Sequence, residues 1–270
     1  MSDPERVLII NPFGIGDVLF TTPLVRALRR AFPDAEIAYL CNRRTEPILR
    51  GNSDVDQVVV YERDELVQLW RSSPVQFLAH VAVLVYKLWR KHFTLVVDVS
   101  LGERYSYVLM LAGARRRIGF DYRKRGRFLT HRLRIDGYHG KHVIEFYRDL
   151  LRFMGVRLLD ESLRVPVSKD DAAWAEHWLR DSRLAAGRPL VGIVPAGGVS
   201  WGIAAPFRRW TLEGFATVAD ALADRHGAQV LLFGEASDRS ICQQVIQMMT
   251  HRAVDVSGQT TLGQLVALVG

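Results

Sequence analysis

Cysteine is scarce in this 270-residue chain: there are two, Cys41 and Cys242, far apart and without CxxC or Cys/His spacing around them. That excludes a disulfide framework and offers no structural zinc pattern, so a reducing, cytoplasmic setting is expected. Long apolar runs are missing as well. The longest, Val75 to Trp89, holds fifteen residues and already contains His80 and Lys87, short of the roughly 20 apolar residues that span a bilayer. The opening residues MSDPER are polar and run straight into a strand-like segment, which leaves no room for a secretory signal. No low-complexity tract interrupts the chain, and no period of about 20 to 50 residues repeats along it. The dinucleotide fingerprint GxGxxG fails because Leu19 stands where its third glycine belongs, and GxxxxGK[ST] is absent. Binding of NAD and a P-loop nucleotidase are both disfavoured on those grounds.

What is present is an ordinary globular composition, 49% hydrophobic and 24% charged, at a length that suggests about two domains. Strand-like runs at Val7–Asn11, Glu36–Cys41, Gln57–Tyr61 and Leu95–Val99 alternate with helical or mixed sequence, which is the grammar of parallel βαβ units. Thr21, Leu24, Val25, Leu28 and Phe32 follow the spacing of a helix laid against a sheet, and Pro33-Asp34 ends it. Lys141 to Met154 reads as another amphipathic helix closed by Gly155, and the aperiodic stretch after it marks a boundary. The expected domains are residues 1–160 and 161–270. In the second, strands are expected at Leu190–Val194, Gln229–Phe233 and Ala253–Val256, with helices near Leu212–Arg225 and Ser237–Met249. The expected fold is therefore α/β, two Rossmann-like domains with parallel sheets. The second is expected to be incomplete, since three strands are few for a doubly wound domain and Gly270 falls in a helix-like stretch, Leu262–Val269.

The formal charge of +7 is concentrated. Arg115 to Arg134 holds eight arginines and one lysine against Asp121, a local charge of +8, so the remainder of the chain sums to −1. Such a block suggests a surface that faces an anion. It lacks the interleaved aromatic platforms of single-strand binders, so nucleic acid is not the expected partner. Val75–Trp89 is expected to be a buried helix of the first domain. Its flanking Trp70, Trp89, Lys87, Arg90 and Lys91 also suit an interfacial helix in peripheral contact with a membrane.

The most informative segment is Asn11-Pro-Phe-Gly-Ile-Gly-Asp17, which joins the first strand to the first helix. Gly14 and Gly16 allow a tight turn with close backbone approach, and a helix start offers free N–H groups to an anion. Asp17 has two readings at this place. It caps the helix, or its carboxylate, in a glycine-framed cleft at the carboxyl end of a strand, serves as general base toward a substrate hydroxyl.

The segment NPFGIGDVLFTTPLVRALRRAFPDAEI resembles the opening of the lipopolysaccharide heptosyltransferases, glycosyltransferase family nine. The likeness continues through NSDVDQVVVY, FTLVVDVS, GARRRIGFDYRKRGRFLTHRL, the His142–Gly155 helix, VGIVPAGGVSWGIAAPFRRWTLEGFATVADAL and VLLFGEASD, nearly the whole chain. The resemblance implies a GT-B enzyme that moves heptose from ADP-heptose to the inner core of lipopolysaccharide with inversion, at the cytoplasmic face of the inner membrane, without metal or cofactor. It implies that the first domain binds the acceptor and the second the nucleotide sugar. Asp17 would then be the general base, with Gly14, Gly16, Arg123, Lys124 and Arg125 facing the anionic acceptor. Gly197, Gly198, Ser200, Arg208 and Glu235 would hold the donor. Arg208 stands where the family usually has lysine, which keeps the charge but changes its shape. Asp54-Val-Asp56 looks like the DxD metal signature of the GT-A fold and is discounted, since it leads into a strand of the family's own pattern. The family's later D-x-G-x-x-H-x-A segment and closing helix do not occur in the sequence. The expectation is a chain lacking the family's C-terminal part, weak or inactive as a transferase, with a non-catalytic module for anionic glycan or lipid as the alternative.

Overall fold

The computed structural model describes residues 5–182, 184, 187–196 and 209–270, with the backbone alone at 63–67 and 103–104. It divides into two compact units, Met1–Pro166 and Val167–Gly270.

In the first unit the elements run β1 (Arg6–Ile10), α1 (Ile15–Phe20), α2 (Thr22–Ala31), β2 (Glu36–Cys41), α3 (Glu46–Leu49), β3 (Gln57–Val60), α4 (Arg63–Ser72), α5 (Pro74–Arg90), β4 (Leu95–Asp98), α6 (Glu103–Leu111), β5 (Arg116–Tyr122), β6 (His131–Ile135) and α7 (Val143–Phe153). All six strands are parallel, in the order β3-β2-β1-β4-β5-β6. The period of two sorts side chains to opposite faces. Leu8, Ile10, Ala38, Leu40 and Val96 form one face with Leu88, Phe93 and Leu109 from the helical side. Val7, Ile9, Ile37 and Tyr39, fully buried, belong to the other. There the Tyr39 hydroxyl meets that of Thr21, at the start of α2, at 2.5 Å, and burial holds its pKa far above the usual phenol range. Buried on both faces, these strands read as continuous apolar runs, which is why they are legible in sequence.

The basic block holds regular structure that the sequence reading did not assign. It contains two strands, β5 and β6, paired in parallel from Ile118 with His131 to Tyr122 with Ile135. Parallel neighbours ordinarily need a crossover of about a dozen residues or more, yet only residues 123–130 connect this pair. The chain manages it by reversing abruptly: Arg123 and Lys124 both take left-handed φ, 52° and 60°. Gly126 then returns close to β5, where its N–H donates to Asp121 Oδ1 at 2.9 Å. A Cβ at 126 would sit 2.9 Å from Asp121 Cβ, so only glycine fits. The Arg117 Nε–H donates to the Phe128 carbonyl at 2.7 Å, pinning the strap from beneath. Exposed Arg132 and Arg134 on β6, at the edge of the sheet, discourage further strand addition.

Residues 160–166 belong to the first unit because a buried arginine holds them. Arg26 on α2 is 5% exposed, pairs with Asp160 at 2.8 Å and donates to the Ser162 carbonyl at 3.2 Å. Thr22 accepts from the Arg164 N–H at 3.3 Å. The DxD carboxylates are likewise structural: Asp56 accepts from Arg29 at 2.5 Å and from the Ile37 N–H at 2.6 Å, while Asp54 lies 4.0 Å from Arg26.

The second unit holds α8 (Lys169–Asp181), β7 (Leu190–Ile193), α9 (Leu212–His226), β8 (Gln229–Leu232), a 3-10 turn at Ala236–Asp238, α10 (Arg239–Met248), β9 (Ala253–Asp255) and α11 (Leu262–Val269). Its three described strands are parallel in the order β7-β8-β9. Ala216, Ala219, Val230, Leu232, Cys242 and Val245 pack on one face. Leu231, Phe233 and Val256 pack on the other with Trp178, Leu265 and Leu268. Helix α8 was not anticipated, although Ser168 caps it by accepting from the Asp171 N–H at 3.0 Å, a start signal that the sequence carries.

Replacing Arg26 by alanine removes a buried cation from Asp160 and strands the 160–166 segment. The expected cost is about 2 kcal/mol in urea unfolding; a change below about 0.5 kcal/mol would refute this anchoring role. Hydrogen bonds from Ser162, with Arg26 and Arg164 nearby, hold the Asp160 carboxyl at about 2, under its ordinary ~3.9. Its contribution is therefore present above about pH 4 and is lost as pH falls through about 2. Carboxyl NMR titration of Ser162→Ala should show this midpoint moving up.

Candidate functional site

The loop after β1 is built on one buried amide. Asn11 is fully buried; its backbone N–H donates to the Leu40 carbonyl on β2 at 3.0 Å. Its side chain then spans the turn, accepting from the Phe13 N–H at 3.2 Å and donating to the Asp17 carbonyl at 3.0 Å. Just after β2, the Asn42 amide donates to the carbonyls of Pro12 and Phe13 at 3.2 and 2.6 Å. Two asparagines thus fix a loop whose far side faces solvent, with Gly14, Ile15, Gly16 and Asp17 all exposed.

Asp17 is the third residue of α1, not its cap. Gly14 occupies the N-cap position, and Asp17 reaches back so that Oδ2 accepts from the Gly14 N–H at 3.0 Å. One carboxylate oxygen is oriented by the backbone and the side chain remains open to solvent. Neither Gly14 nor Gly16 has positive φ, so the turn does not demand glycine for its backbone angles. Over Gly16 a Cβ would meet nothing within 4 Å among the described residues, so its missing side chain adds to the exposed side of the loop.

Several groups beside this loop were not singled out in the sequence. Asp98 ends β4, next to β1, and is buried; it accepts from the Ser100 N–H at 2.9 Å and from the Ser106 hydroxyl at 2.6 Å. Burial nevertheless raises its pKa above the usual carboxylate range. Tyr138 and Tyr147 form an aromatic cluster with Phe120 and Phe146. Burial raises both phenol pKa values, and the Asp17 charge adds to the effect on each. The Tyr138 hydroxyl is buried and interacts with that of Tyr147, and among the described residues it meets no partner in full hydrogen-bonding geometry. His142, the N-cap of α7, sets its ring edge-on to Phe20 at 5.2 Å, so α7 packs against the end of α1. The sequence signal for Asp98 is an acid closing a fully apolar strand; the tyrosines carried none.

Because β1, β4 and β5 are parallel, the loops after β1 and β5 emerge at the same edge. Two strand spacings separate them, about 10 Å. The structure therefore brings the strap that bears Arg123, Lys124 and Arg125 to the side of the sheet where Asp17 stands. All three are exposed, and the guanidiniums of Arg123 and Arg125 lie 5.0 and 5.9 Å from the Tyr122 ring centre. In the second unit, Glu235 follows β8 at the corresponding carboxyl edge and caps the 3-10 turn, its N–H donating to Asp238 at 3.0 Å. Gly197, Gly198, Ser200 and Arg208 lie outside the described residues. Two cavities stand elsewhere: one of about 210 Å³ lined by Arg188, His251 and Arg252, and a groove of about 920 Å³ along β3 and α5. Asp17 lines neither.

Comparison with known proteins gives a consistent result. Residues 81–270 match glycosyltransferase family 9 (heptosyltransferase). The chain is 22% identical to the lipopolysaccharide core heptosyltransferase OpsX of Haemophilus influenzae, over 98% of its own length and 71% of that protein's. In structure it matches a family 9 glycosyl transferase from Veillonella parvula with a TM-score of 0.79 at 23% identity, covering 98% of this chain and 72% of that one. It also matches the E. coli heptosyltransferase WaaC with ADP-2-deoxy-2-fluoro heptose, with a TM-score of 0.69 at 19% identity, over 98% and 79% of the two chains. These likenesses establish the α/β fold with two parallel sheets as that of the GT-B heptosyltransferases.

Two substitutions separate structural from functional polar groups here. Tyr138→Phe deletes a buried hydroxyl whose one neighbour, that of Tyr147, is out of full hydrogen-bonding geometry, so stability should change by less than ~1 kcal/mol. Ser106→Ala deletes a donor to the buried Asp98 and should cost about 1–2 kcal/mol. Urea unfolding of both decides it; a destabilised Tyr138→Phe would mean that the hydroxyl has a partner.

Proposed function

The chain belongs to glycosyltransferase family 9, and on that premise we propose that it transfers heptose from ADP-heptose to the inner core of lipopolysaccharide, with Asp17 as general base. The observation that carries the reading is the exposed Asp17 carboxylate, oriented by the Gly14 N–H at the carboxyl edge of the first sheet. In the proposed step Asp17 takes the proton of an acceptor hydroxyl while that oxygen attacks the anomeric carbon. The bond from that carbon to the diphosphate breaks on the opposite face, and ADP departs with the electron pair. Inversion follows from the single displacement.

The first unit supplies the acceptor side of this reading. Inner-core sugars and lipid A carry carboxylates and phosphates, and exposed arginines at the same sheet edge as Asp17 suit them through paired N–H donors. Arg123, Lys124 and Arg125 are assigned that role, with the bare backbone of Gly14 and Gly16 giving the acceptor room to approach. The second unit is assigned the donor, through Gly197, Gly198, Ser200 and Arg208 at the diphosphate and Glu235 at the ribose. The nucleotide is taken as ADP because the fold relative WaaC was solved with an ADP-heptose analogue. The site of action is assigned to the cytoplasmic face of the inner membrane, where a lipid-borne acceptor is within reach.

Asp17→Asn keeps the Gly14 contact, since an amide oxygen can accept the same N–H, while removing the base. Transfer from ADP-heptose should fall about 10²–10⁴-fold with the circular dichroism spectrum intact; undiminished turnover would remove Asp17 as base. A second experiment separates the roles of the two loops. Arg123→Gln with Arg125→Gln should raise KM for the acceptor about tenfold with kcat little changed. Binding to lipopolysaccharide without any turnover in the parent protein would instead favour a non-catalytic module for anionic glycan.

A further inference from the structure

Helix α5 has two apolar faces, and only one of them is used. Leu84, Val85 and Leu88 pack toward the core of the first unit. On the opposite side, Val75, Leu78, Ala82, Tyr86 and Trp89 succeed one another at intervals of three or four residues, which places them in one stripe. Val75 is 77% exposed, Leu78 62%, Tyr86 56% and Trp89 51%. A surface helix ordinarily turns a polar face to water, and contiguous exposed apolar patches of this kind mark interaction sites. The stripe widens into its neighbours: Trp70 at the end of α4 and Tyr107, Met110 and Leu111 on α6, which contacts α5, are exposed too.

The charge carried by α5 and its flanking turns has a single sign, while Glu36 and Glu62 line the groove beside it together with Arg6, Lys87, Arg90 and Lys91. From Leu66 to Val97 the chain holds no Asp or Glu, whereas Arg71, Lys87, Arg90 and Lys91 all fall within it. Arg90 and Lys87 are exposed, and the Arg90 guanidinium lies 6.0 Å from the Tyr86 ring centre. Trp89, 6.2 Å from Tyr86 and stacked on it, ends the stripe beside these cations. Lysine and arginine beside an apolar face, with tryptophan at its ends, are the ingredients of a helix that lies in the headgroup region of a bilayer. A second copy of the chain fits poorly, because pairing two such faces would set like charges against each other.

We infer that the outer face of α5, extended by Trp70 and by the exposed residues of α6, docks the protein on an anionic lipid surface. The helix lies parallel to the membrane, its apolar stripe in the acyl boundary and its basic residues among the headgroups. Among the described residues no helix is long and apolar enough to cross a membrane, so attachment through this face is peripheral. The inference stands apart from the assignment of Asp17, which is on a different part of the unit.

The test is sedimentation of the full chain with vesicles of phosphatidylcholine alone or with about 30% phosphatidylglycerol. Binding should be about tenfold or more stronger to the anionic vesicles and should weaken as salt is raised. In the double variant Leu78→Glu, Tyr86→Glu, whose positions are exposed and tolerate charge, that binding should drop at least about tenfold with the circular dichroism spectrum unchanged. Failure of the parent chain to bind anionic vesicles would overturn the inference. Equal binding by the double variant would also overturn it, assigning lipid contact to the Arg115–Arg134 block. Concentration-dependent dimerisation of the parent, abolished in the variant, would make the face a self-association surface and overturn it as well.

Discussion

Parallel pairing from β3 to β6 is the constraint on which the first unit depends. When neighbouring strands all point the same way, their carboxyl ends share one edge, and the loops that follow them are gathered there whatever their distance in sequence. Asn11 and Arg123 are more than a hundred positions apart, yet the register from β1 through β4 to β5 leaves two strand spacings between the segments they begin. The price is paid between β5 and β6, where a parallel partner is reached by residues 123–130 alone. Two left-handed residues and one glycine lodged against Asp121 make that return feasible. The same left-handed residues, Arg123 and Lys124, are cations turned to solvent. Backbone geometry and exposed positive charge coincide at one turn.

A similar economy holds the loop after β1. Asn11 and Asn42 satisfy its inner carbonyls and N–H groups from below, which frees the outer side from any structural duty. Asp17 is consequently both tethered, through one oxygen, and accessible. By contrast Asp98, one strand away, is enclosed by Ser100 and Ser106 and kept from water. Two aspartates near one edge therefore serve different ends, and their exposure is what distinguishes them.

Much of the fold was legible in the sequence because buried parallel strands are unbroken apolar runs: β1, β2, β4 and β8 declare themselves. The helices α2, α7, α9 and α10 show their period for the complementary reason, each having one wet face. β5 and β6 were hidden because arginine dominates the block. Its aliphatic stem can line a strand while its head reaches water, so Arg116, Arg117, Arg132 and Arg134 disguise a ladder as a solvated loop. α5 was read as a buried helix, and the structure corrects that: only Leu88 is buried, Leu84 and Val85 are partly so, and the outer stripe is exposed. Apolar periodicity alone cannot separate those cases, since both faces of α5 are apolar. Within the candidate site, the motif is what pointed to Asp17 and its glycines. Asn42 and the tyrosine pair were not legible, because Asn42 reaches across from the end of β2 to Pro12 and Phe13 and the tyrosines meet Phe120 of β5, and only tertiary structure supplies those partners.

The central claim is that the carboxylate at position 17 takes a proton during transfer. Its exposure makes a direct test practical, because removing the side chain opens a space that a small acid can reach from solvent. Asp17→Ala should be nearly inactive with ADP-heptose and a core acceptor, and added formate at about 0.1–1 M should restore transfer in proportion to its concentration. A residual rate that formate does not change, in a correctly folded variant that still binds both substrates, would contradict the assignment.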